Sequence, residues 1–301
     1  MIKMKTISII IPMFNSEKFL PDLFKCLEQC EYLEGDEILL VDNGSKDGTR
    51  ELCKSQVEKN NRYKYYYYDE KPDSYAARNY GVKNSSGDIL VFTDSDCKPT
   101  KNWLSMIRNN IHQGTFIAGN VLLEIEENSV WECLDSITHL SQTKNNLSKG
   151  CVATANMAVL KGDFINRVGY FEERFAGGDF EWSKRAMSCG MRLQFCENAL
   201  VYHPSRKTYI EILTREKRSA YGAGKHYRIM NENKSKLILV YSIKIFKIDT
   251  YLRLAKQMKN KGIPIKEIMR FIVCYFGIRV QQLKAANAGY KGLDPRVLGI
   301  K

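Results

Sequence analysis

What most constrains this chain is a repeated alternation of short apolar runs with amphipathic stretches. Residues 6–12 (Thr-Ile-Ser-Ile-Ile-Ile-Pro) form a β-branched run too short for a helix and stopped by proline, which reads as a buried parallel strand. A helix follows, with Ser16 as N-cap and Phe19, Leu20, Leu23, Phe24 and Leu27 on one stripe. The alternation recurs, with strands at 37–41, 63–68 and 88–93 and helices at 47–57 and 74–82. Such spacing predicts right-handed βαβ units and an open, mostly parallel α/β sheet flanked by helices. Beyond it, the pattern predicts a strand at 153–159, helices at 161–168 and 179–189, and short strands at 192–195 and 199–202. The run of four tyrosines from Tyr65 to Tyr68 belongs to the third strand, since tyrosine is a strong strand former.

In an open α/β sheet, ligands bind beyond the carboxyl ends of the strands. Those positions here hold Pro12-Met13-Phe14-Asn15, Asp42-Asn43-Gly44-Ser45 and Asp94-Ser95-Asp96. No G-x-G-x-x-G or G-x-x-x-x-G-K-[ST] motif accompanies them, which excludes the common dinucleotide and P-loop modes. Two readings of Asp94-x-Asp96 stand side by side. The carboxylates repel each other unless a divalent cation such as Mg²⁺ or Mn²⁺ joins them, or they cap the helix starting near Thr100. Residues 42–49 have the composition of a turn leading into a helix. This accounts for Gly44 and Asp47 but not for Asp42, which stands where a ribose or base could be bound.

The 301 residues are 44% hydrophobic and 27% charged, with a mean hydropathy of −0.37, as expected for a globular chain. Nine cysteines without a paired C-x-x-C spacing, and no basic-then-apolar leader, predict a cytoplasmic protein with reduced thiols. The net charge of +12 is unevenly placed. From Pro204 onward lie 22 of the 46 Lys and Arg but only 6 of the 34 Asp and Glu, so residues 1–203 carry a net −4. A mildly acidic body with a basic tail points to a catalytic domain and a separate surface-binding element. In the tail, Ile265, Ile268, Met269, Ile272, Phe276, Val280 and Leu283 recur at helical spacing beside Lys266 and Arg270. Apolar runs such as 271–278 fall well short of the roughly 18–20 residues a bilayer span needs. The tail is therefore expected to dock on the body or to hold an anionic membrane surface peripherally.

Taken together, residues 10–15 (Ile-Ile-Pro-Met-Phe-Asn), 40–49 (Leu-Val-Asp-Asn-Gly-Ser-x-Asp-Gly-Thr), Ala77-Arg78-Asn79-x-Gly81, 87–96 (Gly-Asp-Ile-Leu-Val-Phe-x-Asp-x-Asp) and Ala155-Asn156-Met157-Ala158 resemble family 2 glycosyltransferases. So do Phe171-x-Glu173-x-Phe175, Gly177-Gly178-Asp179-Phe180-Glu181-Trp182 and Val201-Tyr202-His203-Pro204, in the same order and spacing. These are inverting enzymes of the GT-A fold. The resemblance covers about residues 4–206, implying a donor half at about 1–99, an acceptor half at about 100–206 and a helical basic extension at 207–301.

The resemblance also implies roles. Pro12, Phe14, Glu17, Asp42 and Asn43 would hold the base and ribose, Arg78 would lie near the diphosphate, and Asp94 with Ser95 would complete the donor site. Asp96 and His203 would ligate Mn²⁺ or Mg²⁺, with Asp94 as a further candidate, and an imidazole ligand favours Mn²⁺. Asp179 matches the general base. Two departures stand out: Asn43 replaces a common second Asp, and Gly178-Asp179-x-Glu181 replaces Glu-Asp-x-Asp, which makes Glu181 a second candidate acid. Trp182 and Trp131 are either acceptor-side stacking surfaces or core residues.

Asn43 is compatible with the imide edge that uracil and thymine share; of the two a UDP-sugar is the expected donor, and the expected acceptor is a saccharide or lipid-linked saccharide of bacterial surface-polysaccharide synthesis. The enzyme would then work on the inner face of the cytoplasmic membrane. Sugar-nucleotide pyrophosphorylases share the sheet type but carry a glycine-rich basic loop after the first strand, which this chain lacks. A nucleic-acid partner is not expected, because no aromatic RNA-binding signature or zinc module accompanies the basic tail.

Overall fold

A computed structural model describes residues 4–71, 73–139, 147 and 150–300. The chain forms two compact units: Met1–Leu123 with Leu140–Glu173 and Gly178–Pro204, and Glu124–His139 with Arg174–Gly177 and Ser205–Lys301.

The first unit is built on an eight-stranded sheet. Strands β1 (Ile7–Met13), β2 (Glu37–Asp42), β3 (Tyr63–Tyr67) and β4 (Ile89–Thr93) are mutually parallel in the order β3-β2-β1-β4. The sheet continues through β5 (Lys98–Pro99), β6 (Thr115–Glu124), β7 (Asn156–Leu160) and β8 (Arg192–Pro204), added in the order β7-β6-β8-β5. These pairings are antiparallel between β4 and β7, β6 and β7, and β5 and β8. The sheet is thus parallel only in its first half. The strand that follows β4 in sequence, β5, does not pair with it but lies at the far edge of the sheet beside β8, and the antiparallel neighbour of β4 is β7. The two short strands expected at 192–195 and 199–202 are one continuous strand, β8.

Every residue of β1, β2 and β4 is buried, because the sheet is covered on both faces. Ile7, Ile9 and Ile11 pack with α1 (Leu20–Glu28) in one core, while Ile10, Leu90 and Phe92 pack in another. Helices α2 (Thr49–Lys59) and α3 (Ser74–Asn84) follow β2 and β3. At Gly81, α3 lies so close to the sheet that a Cβ would sit 2.5 Å from Ile10 Cγ2. Pro12 lies past the last β1–β4 pair, at Ile10, while β1 goes on pairing with β2 through Pro12 and Met13, so the missing N–H coincides with the end of one ladder. Ser16 does not cap α1, which begins at Leu20, since its side chain is engaged elsewhere. The remaining helices of this unit are α4 (Trp103–Asn110), α6 (Lys161–Asp163), continued by a π turn over Phe164–Val168, and α7 (Gly178–Ser188).

The second unit is helical: α5 (Val130–Thr138), α8 (Tyr209–Ile229), α9 (Lys234–Phe246), α10 (Ile248–Asn260) and α11 (Ile265–Lys291). Helices α8 and α11 meet backbone to backbone through glycine. A Cβ on Gly224 would fall 1.9 Å from the Ala286 carbonyl oxygen, and one on Gly289 would fall 2.1 Å from that of Tyr221. Buried Asp135 is paired with Arg206 and Arg215, which ties α5 to the start of the basic segment. Trp131 packs edge-on against Tyr209 and Phe271, so it is a packing residue of this unit rather than a stacking surface. Among the described residues no helix is long and apolar enough to cross a membrane.

Candidate active site

The strand ends converge as the topology requires. After β1 the chain turns through Asn15, whose φ of 49° falls in the left-handed region that asparagine tolerates. The Asn15 N–H donates to Ser45 Oγ (2.9 Å), and Asn15 Oδ1 accepts from the Lys46 N–H (2.8 Å), joining the β1 and β2 turns. Glu17 accepts from the Gly48 N–H at 3.0 Å, and a Cβ on Gly48 would collide with that carboxylate. Phe14 is 56% exposed, whereas Pro12 beside it is buried and can act on a ligand only through the turn it sets up.

Asp42 is fully buried. One carboxylate oxygen accepts from the Ser45 N–H (2.8 Å) and the other from Tyr65 Oη (2.9 Å), so its first task is to fold the β2 turn. Asn43 donates both Nδ2 protons, to the carbonyls of Tyr68 (2.8 Å) and Lys71 (2.7 Å). Its Oδ1 remains as the acceptor the side chain can offer a ligand.

The β1 and β4 turns touch through Ser16 Oγ and Ser95 Oγ, 2.8 Å apart. Next to Ser95, Asp94 is ion-paired with the buried Arg78 on α3. The neighbouring Asn79 exchanges two hydrogen bonds with the Phe171 backbone (2.9 and 3.0 Å), and Gly81 seats the helix on the sheet. The motif Ala77-Arg78-Asn79-x-Gly81 therefore sets the position of α3 and aims one cation at the strand end.

The short β5–β8 pairing, Lys98 opposite Tyr202 and Pro99 opposite Val201, carries His203 to the Asp94-x-Asp96 turn. His203 Nε2 lies 3.4 Å from Asp96 Oδ2. Its Nδ1 is 2.7 Å from the Pro204 carbonyl, which can only accept, so Nδ1 donates there and the ring is held with Nε2 turned towards Asp96. Ligand atoms of Asp94, Asp96 and Cys97 all lie within 4.8 Å of one another. Cys97 is a poor member of that set: burial pushes its thiol well up, and it packs in the apolar core. The carboxylates and the oriented imidazole instead form an oxygen and nitrogen donor set suited to Mn²⁺ or Mg²⁺.

Asp179 opens α7, where the helix dipole favours a carboxylate. Its Oδ1 accepts from Tyr75 Oη (2.9 Å) and the Phe180 N–H (3.0 Å), and its Oδ2 faces the Thr154 N–H at 3.4 Å. Burial raises its pKa above the ordinary carboxylate value, and the Tyr75 hydrogen bond and the Arg78 charge pull the other way. Glu181 is differently placed. Arg185 holds both of its oxygens, at 2.8 and 3.0 Å, and the same guanidinium binds the Val168 and Tyr170 carbonyls. Glu181 is thereby a partner in a structural ion pair, while Asp179 bonds only to neutral donors.

The acceptor-side expectation for Trp182 is corrected. Its ring has no solvent exposure, stacks on Phe164 and meets Phe116 and Phe171, and its Nε1 donates to the Gly169 carbonyl. A ring enclosed in this way cannot stack on a sugar. Tyr75, which the motifs did not reveal, is the side chain that donates to Asp179. It fits under Gly178, where a Cβ would lie 2.9 Å from its ring, so the absence of a side chain at 178 was the available signal.

Comparison with known proteins identifies the family and the fold. The chain matches the profile "Glycosyl transferase family 2" over residues 8–168 and "Glycosyl transferase family group 2" over residues 89–278. Glycosyltransferase AglE of Haloferax volcanii is 34% identical over 222 residues, 72% of this chain and 72% of that protein. The GalNAc(5)-diNAcBac-PP-undecaprenol beta-1,3-glucosyltransferase of Campylobacter jejuni is 22% identical over 297 residues, 96% of this chain and 86% of that protein. Among solved structures, the mannosyltransferase PcManGT of Pyrobaculum calidifontis, in complex with GDP-Man and Mn²⁺, matches with a TM-score of 0.63 at 13% identity. The match covers 96% of this chain and 88% of that one, a likeness of fold.

Proposed function

Because the chain belongs to glycosyltransferase family 2 and has the GT-A fold, we propose that it moves a sugar from a nucleoside-diphosphate sugar to a hydroxyl of a saccharide or lipid-linked saccharide, with inversion at the anomeric carbon. The observation that carries this reading is the run of contacts from His203 and Asp96, through Asp94 and Arg78, to Tyr75 and Asp179. It puts a candidate cation site, a cation for phosphate and a half-buried carboxylate along one sheet edge.

Asp179 is the general base. A sugar hydroxyl is far too weak an acid to ionise beforehand, so the proton passes to Asp179 as the new bond to the anomeric carbon forms. Burial that raises its proton affinity makes it a better acceptor for that proton. Arg78 stabilises the diphosphate as negative charge develops on it. The guanidinium is held in place by Asp94 at the strand end, where a phosphate group can add to its charge-assisted bonds. Asp96 and His203, with Asp94, would hold a divalent cation. When bound, that ion supplies Lewis-acid stabilisation of the phosphate oxygens.

Exposed Phe14 offers a face on which a base can stack, and Asn43 Oδ1 can accept the imide N–H of uracil, so a UDP-sugar is the donor we favour. The acceptor reading draws support from the Campylobacter relative, whose name specifies an undecaprenol-linked glycan. Such an acceptor would make this a surface-glycan enzyme working at the inner face of the cytoplasmic membrane.

A panel of sugar nucleotides, assayed for nucleotide release and for the anomer of the product, with Mn²⁺ or with chelator, tests the reading. One donor should be consumed with inversion, and D179N should lose about 10²-fold or more in turnover while still binding nucleotide. E181Q should be milder. A product of retained configuration, or an active D179N beside a dead E181Q, would overturn the assignment.

A further inference from the structure

Three consecutive helices of the second unit are apolar on two faces. In α9, Leu237, Tyr241 and Ile245 turn inward, while Leu239, Val240, Ile243 and Phe246 are exposed. In α10, Leu254 and Met258 are buried and Ile248 and Leu252 exposed. In α11, Ile268, Phe271, Tyr275 and Ile278 are buried, and Ile265, Met269, Val273 and Phe276 are exposed. The outward residues of α11 recur at intervals of three and four, so they form one stripe. The stripe legible in the sequence is therefore divided, with Ile268 inward and Ile265, Met269 and Phe276 outward. The Phe246 and Phe276 rings lie 6.5 Å apart, edge to face, which joins the outward faces of α9 and α11. Phe246, at the end of α9, and Val273, within the α11 stripe, are each 73% exposed.

The charge around this face is one-sided. Residues 231–270 hold ten Lys and Arg and three Asp and Glu, and Glu232 and Glu267 are paired with Lys236 and Arg270. Lys247 lies between the exposed Phe246 and Ile248, and Lys266 follows exposed Ile265. We propose that the outward face of α9, α10 and α11 seats in the headgroup layer of an anionic bilayer, with apolar side chains reaching the acyl boundary and the lysines and arginines meeting lipid phosphates. A second copy of the chain fits this surface less well. Two such faces would bring their cationic collars together, and lysine is depleted from subunit interfaces. An anionic lipid surface satisfies both the apolar stripe and the collar. The surface is independent of the donor and acceptor proposed above.

The test is co-sedimentation of the full chain with vesicles of phosphatidylcholine alone and of phosphatidylcholine mixed with phosphatidylglycerol. Binding is expected only to the mixed vesicles and should weaken as salt rises from about 0.1 to 1 M, where the Debye length falls from about 10 to 3 Å. The double variant F246D and V273D should bind mixed vesicles at least about tenfold more weakly, since both changes place a charge where acyl contact is expected. Its melting temperature and donor hydrolysis should match the parent, which separates loss of docking from misfolding or failure of the catalytic reading. K247E with K256E should lower binding while leaving the apolar stripe in place. The proposal is overturned if the parent ignores mixed vesicles, if F246D and V273D binds as the parent does, or if light scattering shows a dimer that this variant dissociates.

Discussion

Replacing Tyr75 by phenylalanine isolates one hydrogen bond at the proposed base. The Tyr75 ring is buried against Phe171, at 5.9 Å between centroids, and under Gly178, so phenylalanine keeps the packing and removes only the hydroxyl. That hydroxyl donates to Asp179 Oδ1 at 2.9 Å. Burial raises the Asp179 pKa, and the Tyr75 bond is the foremost of the influences that oppose it, ahead of the Arg78 charge. A hydrogen bond to a charged group is worth about 1.5–3 kcal/mol. Since about 1.4 kcal/mol is tenfold in a protonation equilibrium, its loss should raise the proton affinity of Asp179 about ten- to a hundredfold. The bond favours the carboxylate, so removing it favours the acid, and the acidic limb of the kcat/KM profile should move to higher pH. Activity on the alkaline plateau should change little, because the deprotonated base is at least as strong there. Nucleotide release followed across about pH 5 to 9 reads the limb directly. A uniform loss at every pH, with the limb unmoved, would refute the link between Tyr75 and a titrating Asp179.

Three further outcomes are expected. D96A should abolish Mn²⁺-stimulated transfer and weaken Mn²⁺ binding in calorimetry without lowering the melting temperature, and full parental activity in chelator would contradict the cation site. Glu37 is held at about 2, because hydrogen bonds from Lys64, Ser8 and Ser86 outweigh the burial that would raise it. The stability it contributes is therefore complete above the unfolded value of about 4.3 and lost as pH falls towards 2, so E37Q should show a shallower acid decline in melting temperature than the parent. In G119A the new methyl would lie 2.3 Å from the Asn156 carboxamide, which bonds Trp103 Nε1 and the Asn120 and Ala199 carbonyls. A destabilisation of about 1–3 kcal/mol should follow, and an unchanged melting temperature would show that the Asn156 knot can relax.

The sheet was legible where local pattern and tertiary environment agree. β1, β2 and β4 are buried on both faces, so their apolar runs carry the signal undiluted. β6 was not visible, since its residues pass from buried to half-exposed along its length. The antiparallel half depends on which strands pair, and no periodicity encodes pairing. Asp96, His203, Arg78 and Asp179 could be picked from their motifs, and the fold brings them to one edge. What the motifs do not separate is holding from acting. Asp42 and Trp182 read as ligand-facing, yet the first closes a turn with one oxygen and holds Tyr65 of β3 with the other, and the second fills a core. Their partners, Tyr65 and Phe164, come from other parts of the chain, so only the assembled structure shows the carboxylate and the indole already engaged.

Gly178 ties the chain's departure from the pattern implied by the family resemblance to the chemistry of the proposed base. The resemblance to family 2 implies a glutamate at that position, next to the aspartate. Here a Cβ at 178 would come within 2.9 Å of the Tyr75 ring and 3.0 Å of the Glu172 carbonyl oxygen, so a side chain at 178 and Tyr75 in this position exclude each other. The exchange has an electrostatic sign. A second carboxylate beside Asp179 would disfavour its ionisation through like-charge repulsion, whereas a phenol donating to it favours the charged form. Burial still raises the pKa of Asp179, and the nearby Arg78 charge limits that rise. The proposed base thus receives a neutral donor from α3, the helix that also aims Arg78 at Asp94, so one element positions both the proposed proton acceptor and the cation proposed for the leaving group.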